Sequence, residues 1–207
     1  DGRMATDFDA AARTWDSPDK LARTARIAEA IVDAVPLDRA WTALDLGSGT
    51  GQLTWLLADH LGHVTLTDTS AGMLDVARER AATEPDRFVI VDHDLAAGPL
   101  PKPVDFIFSA MALHHIPDTG ALLAHVTASL NPGGWVALAD LDTDPHNHFH
   151  DDDFDGHHGI DRHALGAALT AVGYVDVAQR TATRITKPKH GVEHAHDVFL
   201  VTGRRPG

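Results

Sequence analysis

The chain has 207 residues, of which 43% are hydrophobic and 23% charged, and it contains no cysteine. This composition is typical of a globular protein with a substantial core, so we expect one domain. The lack of cysteine excludes disulfides, cysteine catalysis and thiolate metal ligands, and the formal net charge of −13 argues against a nucleic-acid partner. No apolar run is long enough for a membrane span or a secretory signal, so we expect a cytoplasmic protein without a membrane partner. Asp1-Gly2-Arg3, before Met4, is interpreted as an expression remnant.

Strand-like and helix-like segments alternate along the chain, which predicts a mostly parallel sheet with helices on both faces. The predicted helices span residues 18–35, 51–60, 71–83, 120–130 and 162–172. The predicted strands span residues 41–46, 64–67, 88–91, 104–109 and 135–139, the last preceded by a turn at 131–134. Two further β-rich runs, 174–185 and 197–202, predict an antiparallel hairpin at one edge of the sheet.

A glycine-rich motif, Asp45-Leu46-Gly47-Ser48-Gly49-Thr50-Gly51, joins the first predicted strand to its helix. A strand, a glycine turn and a helix start together hold a nucleotide-like ligand, because glycine allows close approach of the backbone. The spacing is G-x-G-x-G, and Gln52 stands where a dinucleotide-binding motif has its third glycine. Asp45, two residues before the first glycine, favours a ligand that carries an ammonium group over one that carries a pyrophosphate.

Acidic residues follow the next two strands. Ligands of such sheets bind outside the carboxyl ends of the strands, so these positions are candidate binding residues. Asp68 ends the second strand and can accept both hydroxyls of a ribose. Asp92 and Asp94 follow the third strand.

Together these motifs resemble class I S-adenosylmethionine (SAM)-dependent methyltransferases, and in particular the small enzymes of the ubiquinone/menaquinone-biosynthesis type. The resemblance runs from about Trp41 to Asp140 and includes Leu113-His114-His115-Ile116-Pro117-Asp118 and Leu130-Asn131-Pro132-Gly133-Gly134. It implies an α/β fold with a doubly wound, mostly parallel, seven-stranded Rossmann-like sheet and an antiparallel C-terminal hairpin. It also implies SAM as cofactor and S-adenosylhomocysteine (SAH) as product. The acceptor follows by exclusion: Ser109-Ala110-Met111-Ala112 stands where methyltransferases of nucleic acids or protein glutamine often carry an Asn-Pro-Pro-Tyr-like motif. A small organic acceptor remains, with O- or C-methylation favoured. The oligomeric state is left open.

The resemblance also assigns cofactor contacts. Asp94, rather than Asp92, would accept from the adenine amino group, with the Leu95 amide facing the ring and Met73 packed on it. Ser109 would lie beneath the methionine half of the cofactor. The implied cofactor-binding residues are Trp15, Asp45, Gly47, Ser48, Gly49, Gly51, Asp68, Thr69, Met73, Asp94, Leu95 and Ser109.

Three histidines are candidates for a general base, which the reaction needs only if the acceptor atom carries a proton. His114 and His115 are placed near the cofactor by the resemblance, and His158 lies in a histidine-rich segment. An imidazole titrates near neutrality, which suits a base. The alternative is that these histidines orient a loop or bond to its backbone.

Residues 141–163, which we call the lid segment, are unusually rich in His and Asp. The segment follows the fifth strand, where a lid over the acceptor would lie, and Phe149 and Phe154 could anchor it. It could be a mobile, solvated lid or one that contacts the substrate. His and carboxylates can bind transition metals, but no tight helical pair of ligands occurs here, and we predict no metal site.

The domain is divided into an N-terminal helical cover (residues 1–36), a SAM-binding core (37–140), the lid segment, and a C-terminal helix and hairpin (164–207). In the cover, Trp15 either lies over the sulfonium through a cation–π contact or packs in the core. Two other functions stay open. One is a SAM-binding sensor or regulatory protein without turnover, and the other is an NAD-dependent oxidoreductase, which the glycine spacing disfavours.

Overall fold

The computed structural model describes residues 7–207, so Asp1 to Arg3 and the start of the N-terminal cover lie outside the described residues. The strands are β1 (Thr42–Leu46), β2 (His63–Asp68), β3 (Phe88–Asp92), β4 (Val104–Ala110), β5 (Leu130–Leu141), β6 (Val175–Lys189) and β7 (Val192–Arg204). The α-helices are α1 (Phe8–Ala11), α2 (Pro18–Ala34), α3 (Gln52–Leu57), α4 (Ala71–Ala81), α5 (Thr119–Ala128) and α6 (Arg162–Ala171). Among the described residues, no helix is both long and apolar enough to cross a bilayer.

The strands form a single seven-stranded sheet in the order β3-β2-β1-β4-β5-β7-β6. Strands β1 to β5 pair in parallel, whereas β7 pairs antiparallel with both β5 and β6. The predicted fold class is therefore confirmed. The strand order reverses between β1 and β4, and in such sheets the crevice at the carboxyl ends of these strands is the usual ligand site.

The central strands are buried on both faces, which explains their continuous apolar sequences. One hydrophobic cluster joins α2, α3 and α4 to one face of the sheet and includes Ile27, Leu53 and Ala77. A second cluster joins α5 and α6 to the other face and includes Leu122 and Leu165. The two clusters hold the strand ends in a fixed arrangement.

The chain between α5 and β5 differs from the prediction. Helix α5 ends at Ala128 rather than Leu130, because the backbone of Ser129 already accepts a hydrogen bond from Val104 N and Leu130 pairs with Val104. The pairing then skips to Trp135 opposite Phe106, so residues 131–134 form an irregular stretch within β5 rather than a turn before it.

The C-terminal hairpin is longer than predicted. Strand pairing continues to Lys189 opposite Val192, across a tight turn at His190 and Gly191, which have φ values of 52° and 79°. Two consecutive positive φ angles are typical of the turns that join twisted antiparallel strands. The distal part of the hairpin has mostly polar side chains, so its hydrophobicity pattern did not predict strands there.

Gly62, just before β2, gives a test of the packing between chain segments. A Cβ at this position would lie 2.3 Å from the backbone oxygen of Arg39, whereas a Cβ at Gly98 would meet nothing within 4 Å. We expect Gly62→Ala to lower the free energy of unfolding by about 1–3 kcal/mol, because a backbone oxygen cannot move aside cheaply. Urea denaturation measures the change, and Gly98→Ala is the matched control. Equal stability of the two variants would contradict this packing.

Candidate functional site

Two cavities adjoin at the carboxyl edge of the sheet. The inner cavity, of about 320 Å³, is lined by the glycine motif and by residues that follow β2, β3 and β4. The outer cavity, of about 1280 Å³, lies between α2, the lid segment and β6. The residues that line both cavities are Phe8, Trp15, Lys20, Arg23, Met111 and His115. The cavities therefore meet along one shared wall.

The glycine motif wraps the inner cavity in a conformation that side chains disfavour. Gly47 and Gly49 have φ values of 63° and 53°, in the left-handed region, and both line the cavity. A Cβ on Gly49 would approach only Met73 Sδ, at 3.8 Å, so a side chain there would project into the cavity. Gly51 is a glycine because of packing rather than ligand binding: a Cβ at this position would collide with Leu66 and Trp55.

Asp68 connects this loop to the end of β2. Its Oδ2 accepts a hydrogen bond from Gly49 N at 2.8 Å, and its Oδ1 accepts one from Ser70 N at 2.9 Å. A carboxylate has about four acceptor positions, so two remain for a ligand in the inner cavity. Asp68 can therefore position the loop and bind ligand hydroxyls at the same time.

Asp45 lies beneath the loop and is almost fully buried. Its Oδ2 accepts a hydrogen bond from Thr54 Oγ1 at 2.7 Å. Burial raises the pKa of Asp45 to about 7; the Thr54 hydrogen bond opposes this shift and the nearby Asp68 carboxylate adds to it. A cationic group of a ligand in the cavity would favour the ionised form.

The far end of the inner cavity is lined by the residues after β2 and β3. Met73 packs beside the loop, and Asp94 is held in a turn by a 2.8 Å hydrogen bond from Ala96 N to its Oδ1. The sequence-predicted residues that the structure brings together around the inner cavity are Trp15, Asp45, Gly47, Ser48, Gly49, Asp68, Thr69, Met73, Asp94, Leu95 and His115.

Three candidate residues line neither cavity. Gly51 packs behind the loop, as described above. Ser109 is fully buried and its Oγ donates to Leu46 O at 2.7 Å, so it bridges β1 and β4 and does not line the inner cavity. His158 lines neither cavity, and its backbone oxygen accepts from Asp144 N within the lid segment.

His114 forms a buried pair with Asp140. The backbone N of His114 donates to Asp140 Oδ2 at 3.1 Å, and its Nδ1 lies 2.5 Å from Asp140 Oδ1. The carboxylate is an acceptor only, so Nδ1 carries a proton, and in this tautomer Nε2 is the nitrogen that can accept one. His114, whose side chain is 4% exposed, is among the residues that line the outer cavity.

His115 lies beside this pair, and its surroundings lower its pKa. Its ring centroid is 4.1 Å from that of His114, and it lines both cavities. Burial lowers the pKa of His115 to about 4, and the neighbouring His114 adds to the shift. His115 is therefore neutral near pH 7 and a much weaker base than a free imidazole.

Several wall residues were not among the sequence-predicted candidates. Lys20 Nζ lies 3.1 Å from the ring centroid of Trp15, so one face of this tryptophan already contacts a cation. Met111 has a φ of 61°, a strained conformation that often marks functional sites. Asp16 accepts hydrogen bonds from Thr50 Oγ1 at 2.9 Å and from Arg80, which ties the N-terminal cover to the glycine motif.

The lid segment is tied to the hairpin. Lys187 Nζ donates to Phe149 O, and Lys189 Nζ donates to the backbone oxygen of His150 at 2.8 Å. Phe154 stacks on the His150 ring at 3.8 Å. Within residues 7–207, no group of three or more His, Asp or Glu side chains is arranged to hold a metal ion.

Comparison with known proteins agrees with this geometry. Residues 43–134 match the methyltransferase domain family. Trans-aconitate 2-methyltransferase from Azoarcus sp. strain BH72 is 35% identical over 130 residues, which are 60% of this chain and 50% of that protein. The chain spans about half or less of the length of the first curated relatives it matches, with shares of 50%, 32% and 43%.

Two solved structures share the fold along almost the whole chain. The SAM-dependent methyltransferase from Aquifex aeolicus has a TM-score of 0.67 and 19% identity, and the match covers 95% of this chain and 97% of that one. The DhpI–SAH complex has a TM-score of 0.68 and 25% identity, and the match covers 97% of this chain and 93% of that one.

Residues 43–134 therefore match a methyltransferase domain, and the fold around them is the one found in solved SAM-dependent methyltransferases. SAM is the cofactor of this family, and the inner cavity fits it on three observations. Space that a Cβ would occupy is left open beside Gly49, Asp68 has acceptor positions left for hydroxyls, and Asp45 is a buried carboxylate suited to an ammonium group. The finer similarity to the ubiquinone/menaquinone type stays a prediction.

The raised pKa of Asp45 makes stability depend on pH in a definite direction. Between about pH 4 and pH 7 the unfolded chain ionises this group, whose ordinary pKa is 3.8, while the folded protein keeps it protonated. The contribution of Asp45 to the free energy of unfolding therefore falls as pH rises through this range, by a few kcal/mol. We expect Asp45→Asn, which can still accept from Thr54, to gain stability over wild type as pH rises from 4 to 7. Denaturant titrations at several pH values measure the difference, and a constant difference would contradict the raised pKa.

Proposed function

We propose that this domain transfers the methyl group of SAM to a hydroxyl or an acidic carbon of a small organic acceptor bound in the outer cavity. The observation that carries the proposal is the His114–Asp140 pair on the wall of the outer cavity, next to the wall shared with the inner one. A base oriented by a buried carboxylate is useful where an acceptor must lose a proton.

The inner cavity supplies the cofactor contacts of this proposal. Asp68 holds the ribose hydroxyls, Asp94 and Met73 hold the adenine, and Asp45 faces the amino group. The bound cofactor supplies an electrophilic methyl group on a sulfonium. The protein contributes orientation, because the two cavities fix the relative positions of both reactants.

The outer cavity supplies the proton acceptor. Asp140 accepts the Nδ1–H of His114 and leaves Nε2 able to take a proton from the acceptor molecule. The resulting imidazolium is stabilised by the same carboxylate. His115 is the weaker candidate, because burial holds its pKa at about 4.

Aromatic side chains limit water around these histidines. The ring centroid of His115 lies 5.3 Å from that of Phe8 and 5.5 Å from that of Phe154. One of these rings comes from the N-terminal cover and the other from the lid segment. In this proposal the lid segment contacts the substrate and keeps the acceptor away from bulk water.

The names of two relatives and the volume of the outer cavity support a small acceptor. Two curated relatives are named trans-aconitate 2-methyltransferase, after a small organic acid. An outer cavity of about 1280 Å³ is large enough for a small organic molecule.

Asp68→Ala tests the cofactor part of the proposal. The change removes the acceptors for ribose hydroxyls and for the N–H of Gly49, so we expect SAH affinity to fall about ten- to a hundredfold. Calorimetry with SAH measures it. Asp92→Ala is the control, because Asp92 pairs in register with Asp68 but does not line the inner cavity. Unchanged affinity in Asp68→Ala would contradict the assignment.

His114→Asn tests the base. SAH formation is measured by mass spectrometry with a defined panel of phenols, hydroxy acids and β-keto acids, and with trans-aconitate as an acceptor whose carboxylate oxygen needs no base. For a proton-bearing acceptor we expect kcat to fall about 10²- to 10⁴-fold. SAH affinity should stay within about threefold, which also shows that the variant is folded. His115→Asn should lose less activity. A variant at His114 that keeps wild-type kcat on every proton-bearing acceptor would rule out the base.

A further inference from the structure

Arg23, on helix α2, has an unsatisfied group at the wall shared by the two cavities. Its Nε is buried and has no hydrogen-bond partner among residues 7–207. Burial lowers the pKa of Arg23 and the Asp140 carboxylate opposes that shift, but a guanidinium keeps its charge at neutral pH. Arg23 as a whole is half-buried, and its buried Nε–H lacks an acceptor, so an anion bound in the cavity would satisfy this donor and neutralise the guanidinium.

Other cations around the outer cavity are already engaged. Arg26 pairs with Glu29 at 3.0 Å, and Arg184 pairs with Asp197 at 2.6 Å. Lys187 donates to the backbone oxygen of Phe149. Lys20, which also lines this cavity, lies over the Trp15 ring. Arg23 differs from these neighbours because its buried Nε is left without a partner among residues 7–207.

His150, in the lid segment, has a matching deficiency. Both of its ring nitrogens are buried and lack hydrogen-bond partners among the described residues. Burial lowers the pKa of His150 to about 3, so the ring is neutral and offers one donor and one acceptor. The stack on Phe154 at 3.8 Å and the edge contact with Phe149 at 5.0 Å fix the ring in the wall of the outer cavity.

Resting on the proposed function, we propose that the acceptor carries a carboxylate, separate from the methylated atom, that binds Arg23 of helix α2 and the ring N–H of His150. A carboxylate accepts from both groups and neutralises the guanidinium. Asp151, Asp153 and Asp155 also line the outer cavity and favour a single negative charge over a phosphate dianion.

The remaining walls indicate the rest of the acceptor. Met111, Phe149, Phe154 and Ile185 give the outer cavity an apolar surface. The acceptor is therefore an organic acid with an apolar body, and Arg23 and His150 set its orientation relative to His114. Arg23 also lines the inner cavity, so the test separates an acceptor carboxylate from the carboxylate of the cofactor.

The experiment titrates 3-phenylpropionate and its uncharged amide, 3-phenylpropionamide, by calorimetry into the protein saturated with SAH. We expect wild type to bind the carboxylate at least about tenfold more tightly than the amide. Arg23→Gln should abolish this preference and leave SAH affinity within about threefold, and His150→Phe, which keeps the aromatic stack, should weaken it. Arg26→Gln, on the same helix and in an exposed ion pair, is the matched control and should behave as wild type.

Four results would overturn the inference. Equal affinity for the two probes, or binding of neither, would show that the outer cavity does not select a carboxylate. Loss of SAH affinity in Arg23→Gln with the carboxylate preference intact would show that Arg23 serves the cofactor. If wild type did not bind SAH at all, the proposed function would fail first, and this inference with it.

Discussion

The carboxylate of Asp68 is the contact on which the rest of the site depends. Its hydrogen bond from Gly49 N fixes a left-handed turn of the glycine motif, and its hydrogen bond from Ser70 N fixes the entry to helix α4. Ser70 Oγ in turn accepts from Met73 N, which places Met73 against the loop. One side chain therefore sets a loop, a helix start and a cavity wall in a single arrangement. Preorganisation of this kind lowers the entropy that a ligand would otherwise lose on binding.

Parallel pairing of β4 and β5 explains why residues distant in sequence meet at the outer cavity. Ala110 at the end of β4 pairs with Ala139 of β5, so the residues that follow emerge side by side. Asp140 and His114, 26 residues apart in the chain, come into contact there. Three donors offset the burial of the Asp140 carboxylate, namely His114 N, His114 Nδ1 and Leu141 N. This cluster of donors fixes the ring of His114, and only a ring held in one orientation can offer Nε2 at a constant position.

Strand ends could be predicted from the sequence, whereas helix faces could not. Asp45 and Asp68 follow from position, because all parallel strands end at the same edge. Position left Asp92 and Asp94 open after the third strand, and the family resemblance chose Asp94. Arg23 could not be predicted as a cavity residue. The face of α2 that meets the cavity depends on how Ile27 and Ile31 pack on the sheet, and a single sequence does not reveal that packing. The single available signal was the three-residue spacing of Lys20 and Arg23, which puts both on one helix face. The predicted ends of helices and strands were wrong where backbone hydrogen bonds set the end, as at Ser129. They were also wrong where a strand was polar, as in the distal part of the hairpin.

The two cavities differ in the charge they present, and this difference supports separate roles for them. Carboxylates at Asp45, Asp68 and Asp94 line the inner cavity, whereas Lys20 and Arg23 stand on the shared wall of a chain whose net charge is −13. Acids attract a sulfonium cofactor more strongly than the neutral thioether left after methyl transfer, because the sulfur charge disappears in the reaction. The same carboxylates that favour cofactor binding thus contribute less to product binding. The outer cavity adds Arg26, Arg184 and Lys187 to the two shared cations, so its positive side chains favour the proposed anionic acceptor over the cationic cofactor.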